Sequence, residues 1–193
     1  MWRELGVQII TGIVAVIALA TAQRAADPHL ELARARDPGI VTLIRHATAP
    51  GVGDPVGFTL ADCATQRNLS DEGRRQARAL GEALRRVGVR DADVRSSAWC
   101  RCQETARLLS LGPVRIAPYL NSFFAGRSDK AAATGELRAA VLQKLDSRRP
   151  TLFITHQVNI TALTGIVPAE GEAIFVRATA AGAVDVVGRA RLP

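Results

Sequence analysis

Two histidines and two arginines are the residues of this chain best placed to do chemistry together. Val41-Thr-Leu-Ile-Arg45-His46-Ala47 and Thr151-Leu-Phe-Ile-Thr-His156-Gln157 are apolar, β-branched runs that each end in a histidine. Each reads as a buried strand with the histidine at its carboxyl end, the end at which open parallel sheets bind their ligands. Arg45 directly precedes the first histidine. A third stretch, Val94-Arg-Ser-Ser-Ala-Trp-Cys-Arg101-Cys-Gln-Glu-Thr-Ala106, reads as a short strand, a Ser-rich turn and the start of a helix, with Ser96 or Ser97 as its cap and Arg101 in its first turn. Guanidinium groups bind phosphate bidentately and stay charged at any relevant pH. A helix N-terminus also favours anions. Neutral imidazoles and fixed cations gathered at strand ends would make a phosphate cradle with a nucleophile inside it.

The elements that must position these residues alternate strand and helix. Strand one covers about 40–45. A loop of Ala49-Pro-Gly-Val-Gly-Asp54-Pro-Val-Gly57 follows, too rich in Gly and Pro for regular structure. Ser70 caps a helix with Leu69, Ala77, Leu80, Leu84 and Val87 along its apolar side, and Gly88 ends it. A strand from Val94, a helix to about Ser110 and a short strand over Val114–Ala117 come next. Residues 118–135 read as an irregular segment overhanging the site, and Ala139–Leu145 as helical. Thr151–Thr155 is the second histidine-bearing strand, a helix follows His156, and Ala173–Arg177 and Ala183–Arg189 read as the last two strands. This alternation predicts a three-layer α/β/α sandwich with a mainly parallel sheet.

In this order and spacing the motifs resemble those of the histidine phosphatase superfamily, the phosphoglycerate mutase-like group, and its branch 1 in particular. Leu43-Ile-Arg-His-Ala47 corresponds to the R-H-G signature, with Ala47 in place of the usual glycine. Asn68-Leu-Ser-Asp-Glu-Gly73 with Gln76-Ala77 corresponds to the helix start after it. Ser97-Ala-Trp-Cys-Arg101 with Thr105-Ala106 corresponds to the second-arginine motif, and Ile154-Thr-His156 to the second-histidine motif. The resemblance covers residues from about 40 to about 165. It implies a phosphomonoester hydrolase working through a phosphohistidine on His46, with Arg45, Arg101 and His156 around the phosphoryl group and no metal or cofactor. It also leaves a gap. Where one branch carries a Glu, after the second-arginine helix, Pro118–Arg127 contains no acid and Asn121 stands near the place. Where the other carries an Asp after the second histidine, this chain has Gln157.

Asp54, eight residues after His46 in the Gly-rich loop, is therefore the candidate general acid; Asp62, Asp129 and a water-mediated route are its alternatives. Arg67 and Asn68 are candidates for secondary phosphate contacts, with turn stabilisation as the competing role. Trp99 reads as packing, and Phe123 and Phe124 as pocket walls or local core. A phosphotransferase or mutase and a non-catalytic phosphate-binding module are the alternatives to hydrolysis. The expected partner is a small phosphorylated substrate or phosphate itself.

Composition narrows the setting. The chain has 193 residues and a net charge of +7, enough for one domain with a sizeable core. Nearly all its basic residues are arginines spread along the chain, without a basic run or interleaved aromatics, which excludes nucleic acid as the inferred partner. Residues 1–22 combine a weakly basic start, an apolar run from Val7 to Ala20 and Ala20-Thr-Ala22, and read as a signal peptide or an N-terminal membrane anchor. Residues 23–38 read as a linker or short helix and 39–193 as the domain. The domain is thus expected outside the cytoplasm, periplasmic or extracellular, touching a membrane only through the N-terminal segment if that is uncleaved. There a disulfide is expected between Cys63 and either Cys100 or Cys102.

Overall fold

The computed structural model describes residues 28–192. The N-terminal segment read as a signal peptide or anchor lies outside the described residues. The element order is α1 (Pro28–Leu32), β1 (Ile40–Arg45), α2 (Asp71–Arg86), β2 (Asp93–Ser96), α3 (Cys100–Leu109), β3 (Val114–Ile116), α4 (Lys130–Leu142), β4 (Thr151–Thr155), α5 (Gln157–Thr164), β5 (Ala173–Ala178) and β6 (Val184–Ala190), with single 3-10 turns between some of them. The six strands form one sheet in the order β3-β2-β4-β1-β5-β6. β3, β2, β4 and β1 run parallel, while β5 and β6 pair antiparallel at one side. The sheet is therefore mostly parallel, as the alternation of elements implies.

β1 is buried on both faces, which is why it reads as a continuous apolar run. Alternate residues point to opposite layers. Ile40 and Ile44 join Leu80, Leu84 and Leu109 from α2 and α3, with Leu32 of α1. Val41 and Leu43 join Leu137, Val141, Ile160 and Leu163 from α4 and α5. These two cores on either side of the sheet make three layers. The segment preceding strand one contributes to the first of them, since Leu32 and Ala35 are fully buried.

Sheet order is what builds the site. β1 and β4 are neighbours with Arg45 opposite Thr155, so His46 and His156 emerge side by side. β2 flanks β4 on its other edge, which brings the 97–101 turn to the same place. α2 starts beside it: the Ser70 hydroxyl accepts the Gly73 amide at 3.0 Å, and Asp71 and Glu72 lie in the positively polarised first turn. Gly73 is glycine for a steric reason. A Cβ there would run into the backbone of Thr48, two residues after His46.

Two expectations change. The segment 118–135 is not irregular throughout. α4 begins at Lys130, with the Asp129 carboxylate accepting the Ala132 amide as its cap. α4 therefore lies earlier than 139–145; its Ala-rich sequence carries helix propensity with little amphipathic periodicity. At α3 the N-cap is Trp99, with no side-chain cap. Neither Ser96 nor Ser97 caps it, because Ser97 is turned toward His156 instead.

Candidate active site

His46 leaves β1 into a cavity of about 290 Å³ lined by both histidines, Arg45, Arg67 and Arg101, with Asp54, Trp99, Phe124 and Arg127 around them. The Nδ1 atom of His46 stands 2.8 Å from the carbonyl oxygen of Ala47. A carbonyl only accepts, so Nδ1 carries the proton and Nε2 keeps a lone pair. Burial pushes the imidazole pKa down to about 3, and the charges of Arg101, Arg67 and Arg45 push the same way, against the Ala47 hydrogen bond. His46 is therefore a neutral imidazole, with Nε2 making no hydrogen bond among the described residues.

His156 packs at 5.6 Å from His46, ring to ring and edge-on. Its Nδ1 faces an Arg101 nitrogen at 3.5 Å and its Nε2 faces the Ser97 hydroxyl at 2.8 Å. Arginine only donates, so the proton lies on Nε2 and is given to Ser97, whose hydroxyl in turn lies 3.3 Å from the Asn121 amide oxygen. Burial, then His46 and the arginines, hold the His156 pKa well below its ordinary value. In the resting site His156 is thus a neutral donor, fixed from behind by Ser97, Asn121 and the edge of the Trp99 ring at 5.1 Å.

The guanidinium groups are held from their outer sides. Arg45 donates to the Pro168 carbonyl at 3.0 Å and to the Glu170 carboxylate at 3.4 Å. Arg67 donates to the Gly53 carbonyl at 2.7 Å and, by a short bond, to the Ala49 carbonyl. Arg101 donates to Asp54 at 2.7 and 3.3 Å. The Nε atoms of Arg45 and of Arg101 are buried and have no partner among the described residues. A buried unsatisfied donor costs free energy, and an anion in the cavity is the species that would satisfy two charged ones at once.

Asp54 reaches the site as anticipated, in a state that bears on its candidate role. Its carboxylate accepts from Arg101, from the Trp99 indole at 3.0 Å and from the Arg67 amide at 3.1 Å. Its side chain is 6% exposed and that of Arg101 4%. Burial raises the affinity of Asp54 for a proton, but the hydrogen bond and charge of Arg101, with Arg67 and Trp99, outweigh it and hold the carboxyl below the usual range. In the resting site Asp54 is a carboxylate seated in the fork of Arg101. Trp99 packs, as its type suggests, and also fixes this carboxylate. Asp62 and Asp129 do not line the cavity; both cap helical turns.

Asn68 has the structural role of the two proposed for it. Its amide donates to the carbonyls of Cys63 and Gln66 and closes the turn before α2. Arg67 lines the cavity. Phe124 lines it too, whereas Phe123 does not. The α3 N-terminus is not open to an anion at its first amide, which donates to the Gln66 side chain at 3.0 Å.

The disulfide joins Cys63 to Cys100, with Cα atoms 5.7 Å apart. It ties the 63–68 turn, which carries Arg67, to the first residue of α3, next to Arg101. Cys102 is the free thiol, fully buried, 3.6 Å from the Thr155 carbonyl oxygen. Burial pushes its pKa up to about 12, which leaves it unreactive.

Sequence reasoning passed over Glu170, which holds Arg45 from a loop 125 residues away, Ser97 as the partner of His156, and Arg127 at the cavity mouth. A serine beside a second-arginine motif signals a cap first. Glu170 and Arg127 carried no signal in a chain so rich in charged residues.

A sequence model of the histidine phosphatase superfamily (branch 1) matches residues 41–150. No curated protein matches the chain. Among solved structures it is similar to the protein histidine phosphatase SixA complexed with tungstate, at 18% identity and a TM-score of 0.55, over 78% of this chain and 96% of that one. It is similar to a mycobacterial glucosyl-3-phosphoglycerate phosphatase complexed with VO3, at 14% identity and a TM-score of 0.60, over 79% and 99%. It is also similar to a phosphoserine phosphatase from Entamoeba histolytica in complex with 3-phosphoglyceric acid, at 13% identity and a TM-score of 0.54, over 79% and 97%. At these identities the likeness is one of fold.

Proposed function

Since this chain belongs to the histidine phosphatase superfamily, branch 1, we propose that it is a phosphomonoester hydrolase whose covalent nucleophile is His46. Membership supports a phosphatase or mutase-like activity; the hydrolytic reading rests on the site. The observation that carries it is the pairing of a neutral His46, whose Nε2 lone pair is unblocked, with two guanidinium groups whose buried Nε donors lack partners among the described residues.

In this reading a phosphomonoester enters with its phosphoryl oxygens on Arg45 and Arg101 and beside His156. His46 Nε2 forms a bond to phosphorus as the bond to the ester oxygen breaks. The equatorial oxygens are stabilised by cations already in place, so little reorganisation is needed. The phosphoryl group displaces the Asp54 carboxylate from the fork of Arg101. Two anions then share one cation, which raises the affinity of Asp54 for a proton. Asp54 gives that proton to the leaving oxygen, then takes one back from the water that attacks the phosphohistidine and releases inorganic phosphate.

Two further parts of the reading concern setting. We propose that the chain is exported, with residues 1–22 as signal peptide or anchor; the Cys63–Cys100 disulfide supports an oxidising compartment. N-terminal sequencing with fractionation tests this, and a soluble cytoplasmic protein retaining Met1 refutes it. The substrate is a small phosphorylated molecule, with no cofactor required.

The first test of activity is release of p-nitrophenol and phosphate from p-nitrophenyl phosphate by the full chain. Turnover that is lost in His46→Ala supports the hydrolase. Tight phosphate binding without turnover would instead favour a non-catalytic phosphate-binding module, and phosphoryl transfer to an added alcohol in preference to water would favour a transferase or mutase.

A further inference from the structure

We infer that Arg127 reads a second anionic group on the substrate, so that the phosphomonoester accepted here has a leaving group with an apolar body and an acidic function. The inference rests on the phosphatase reading and specifies its substrate class.

Three observations carry it. The first is an excess of positive charge. Arg45, Arg67, Arg101 and Arg127 line one cavity; among the described residues Asp54 is its one lining carboxylate, and Glu170 backs Arg45 from outside, which leaves two more arginines than acids. Arg45 and Arg101 suffice to pair with a phosphoryl dianion, and Arg67 is committed to the carbonyls of Gly53 and Ala49. Arg127 has no ion pair or hydrogen bond among the described residues. Its guanidinium lies over the ring of Phe58, 4.1 Å from the centroid. A stacked guanidinium keeps its donors free while losing much of its side-chain freedom in advance.

The second is the backbone that places it. Ala125, a wall of the cavity, is in the left-handed region with φ 58° and ψ 34°, where residues with a Cβ seldom sit. This turn lets Phe124 and Arg127, three residues apart, line the same cavity. Strained backbone of this kind persists where its surroundings enforce it and collects at ligand clamps.

The third is exposed apolar surface in the same cavity as Arg127 and the phosphoryl site. Val52 is 89% exposed and Phe124 46% exposed, and both line the cavity. Exposed apolar side chains lining an open cavity are stabilised by whatever apolar body covers them. A substrate with its phosphoryl group at His46, its body on Val52 and Phe124 and an anion at Arg127 satisfies all three features.

The test compares phenyl phosphate with its three carboxyphenyl phosphate isomers and with the phenylene bisphosphates, which scan the position and type of the second anion. Binding is measured by calorimetry on His46→Ala and kcat/KM on the wild type, each with and without Arg127→Ala. Arg90→Ala, at the opposite end of the sheet, controls for net charge. At least one dianionic-group isomer should bind and react about tenfold better than phenyl phosphate, as a charged hydrogen bond warrants. Arg127→Ala should reduce that preference to within about twofold, Arg127→Lys should restore part of it, and Arg90→Ala should leave it intact. If no isomer is preferred, or the preference survives Arg127→Ala, the inference is wrong. Equal loss for all substrates, with a lower melting temperature, would mean that Arg127 only holds its segment to Phe58. Preferential binding without any turnover would instead refute the phosphatase reading and leave the anion site standing.

Discussion

Removing the Cys63–Cys100 disulfide perturbs stability and activity together, and the size of the first effect follows from the chain. The bridge closes a loop with a sequence separation of 37 residues. In the chain-entropy description, a loop of that length restricts the unfolded chain by about 4 kcal/mol at room temperature. For a domain of this size each kcal/mol corresponds to roughly 2–4 °C, so Cys63→Ala/Cys100→Ala should melt roughly 8–16 °C lower. The effect on activity follows from position. Cys100 opens α3, its amide is held by Gln66, and Arg101 is the next residue; on the other strand of the bridge the 63–68 turn carries Arg67, whose carbonyl accepts from Arg101 at 3.3 Å. Loosening this junction displaces the guanidinium that holds Asp54, and phosphoryl transfer depends on cations fixed in place. The double variant should therefore lose about tenfold or more in kcat/KM even well below its melting temperature. Calorimetry and p-nitrophenyl phosphate hydrolysis at 20 °C are the assays. A melting temperature within 2 °C of the wild type would refute the stability argument, and an unchanged kcat/KM would show that the bridge does not position Arg101.

Other perturbations act on single contacts. Asp54→Asn should reduce kcat/KM, which reports formation of the phosphohistidine, by about 10²–10⁴-fold for alkyl phosphates, the usual contribution of a general acid, and far less for p-nitrophenyl phosphate, because that leaving group departs without a proton. It should also tighten inorganic phosphate binding, since the carboxylate no longer occupies Arg101; equal loss for both ester classes would remove Asp54 from the acid role. Burial keeps His46 and His156 neutral down to low pH. The unfolded chain binds protons at these histidines below pH 6.5 and the folded one does not, so stability must fall as the pH drops. For His46 the loss is about 1.7 kcal/mol between pH 6.5 and 5, His156 adds to it in the same direction, and urea titrations at those two pH values should show it shrink in His46→Ala. Asp54 and Asp93, both held low by cations, extend the loss below about pH 4, since their stabilisation is present above the unfolded pKa. Gly73→Ala should lower both melting temperature and kcat, because its new methyl group pushes the Thr48 backbone that follows His46; wild-type kinetics in this variant would show that the loop yields freely.

The parts of this site that were legible in the sequence are those fixed by secondary structure. β1 and β4 announce themselves as apolar β-branched runs, and a histidine after such a run falls at the sheet's carboxyl edge whatever the loops do. The Ser70 cap and the Gly88 stop were readable for the same local reason; Gly88 has φ +92°, a region that favours glycine. What stayed hidden depends on contacts between distant segments. Asp54 lies 47 residues from Arg101, in a loop whose course its glycines leave open. Ser97 had a local role available, capping α3, and the tertiary structure used it for His156. The direction of β5 and β6 was likewise not encoded in their apolar patterns, which read alike in parallel and antiparallel pairs. The choice of Cys100 over Cys102 was a matter of helix phase: two residues along α3, Cys102 lies fully buried beside Thr155.

The central claim is that phosphate passes through His46, and the direct measurement is to trap it there. The full chain is mixed with a radiolabelled phosphomonoester, quenched in base within milliseconds, digested and mapped. The account predicts label on the His46 peptide, stable to base and labile to acid, that is absent in His46→Ala and accumulates in Asp54→Asn, where the attacking water has lost its base. Hydrolysis that proceeds at the wild-type rate with no label on His46, or label that persists in His46→Ala, would contradict it.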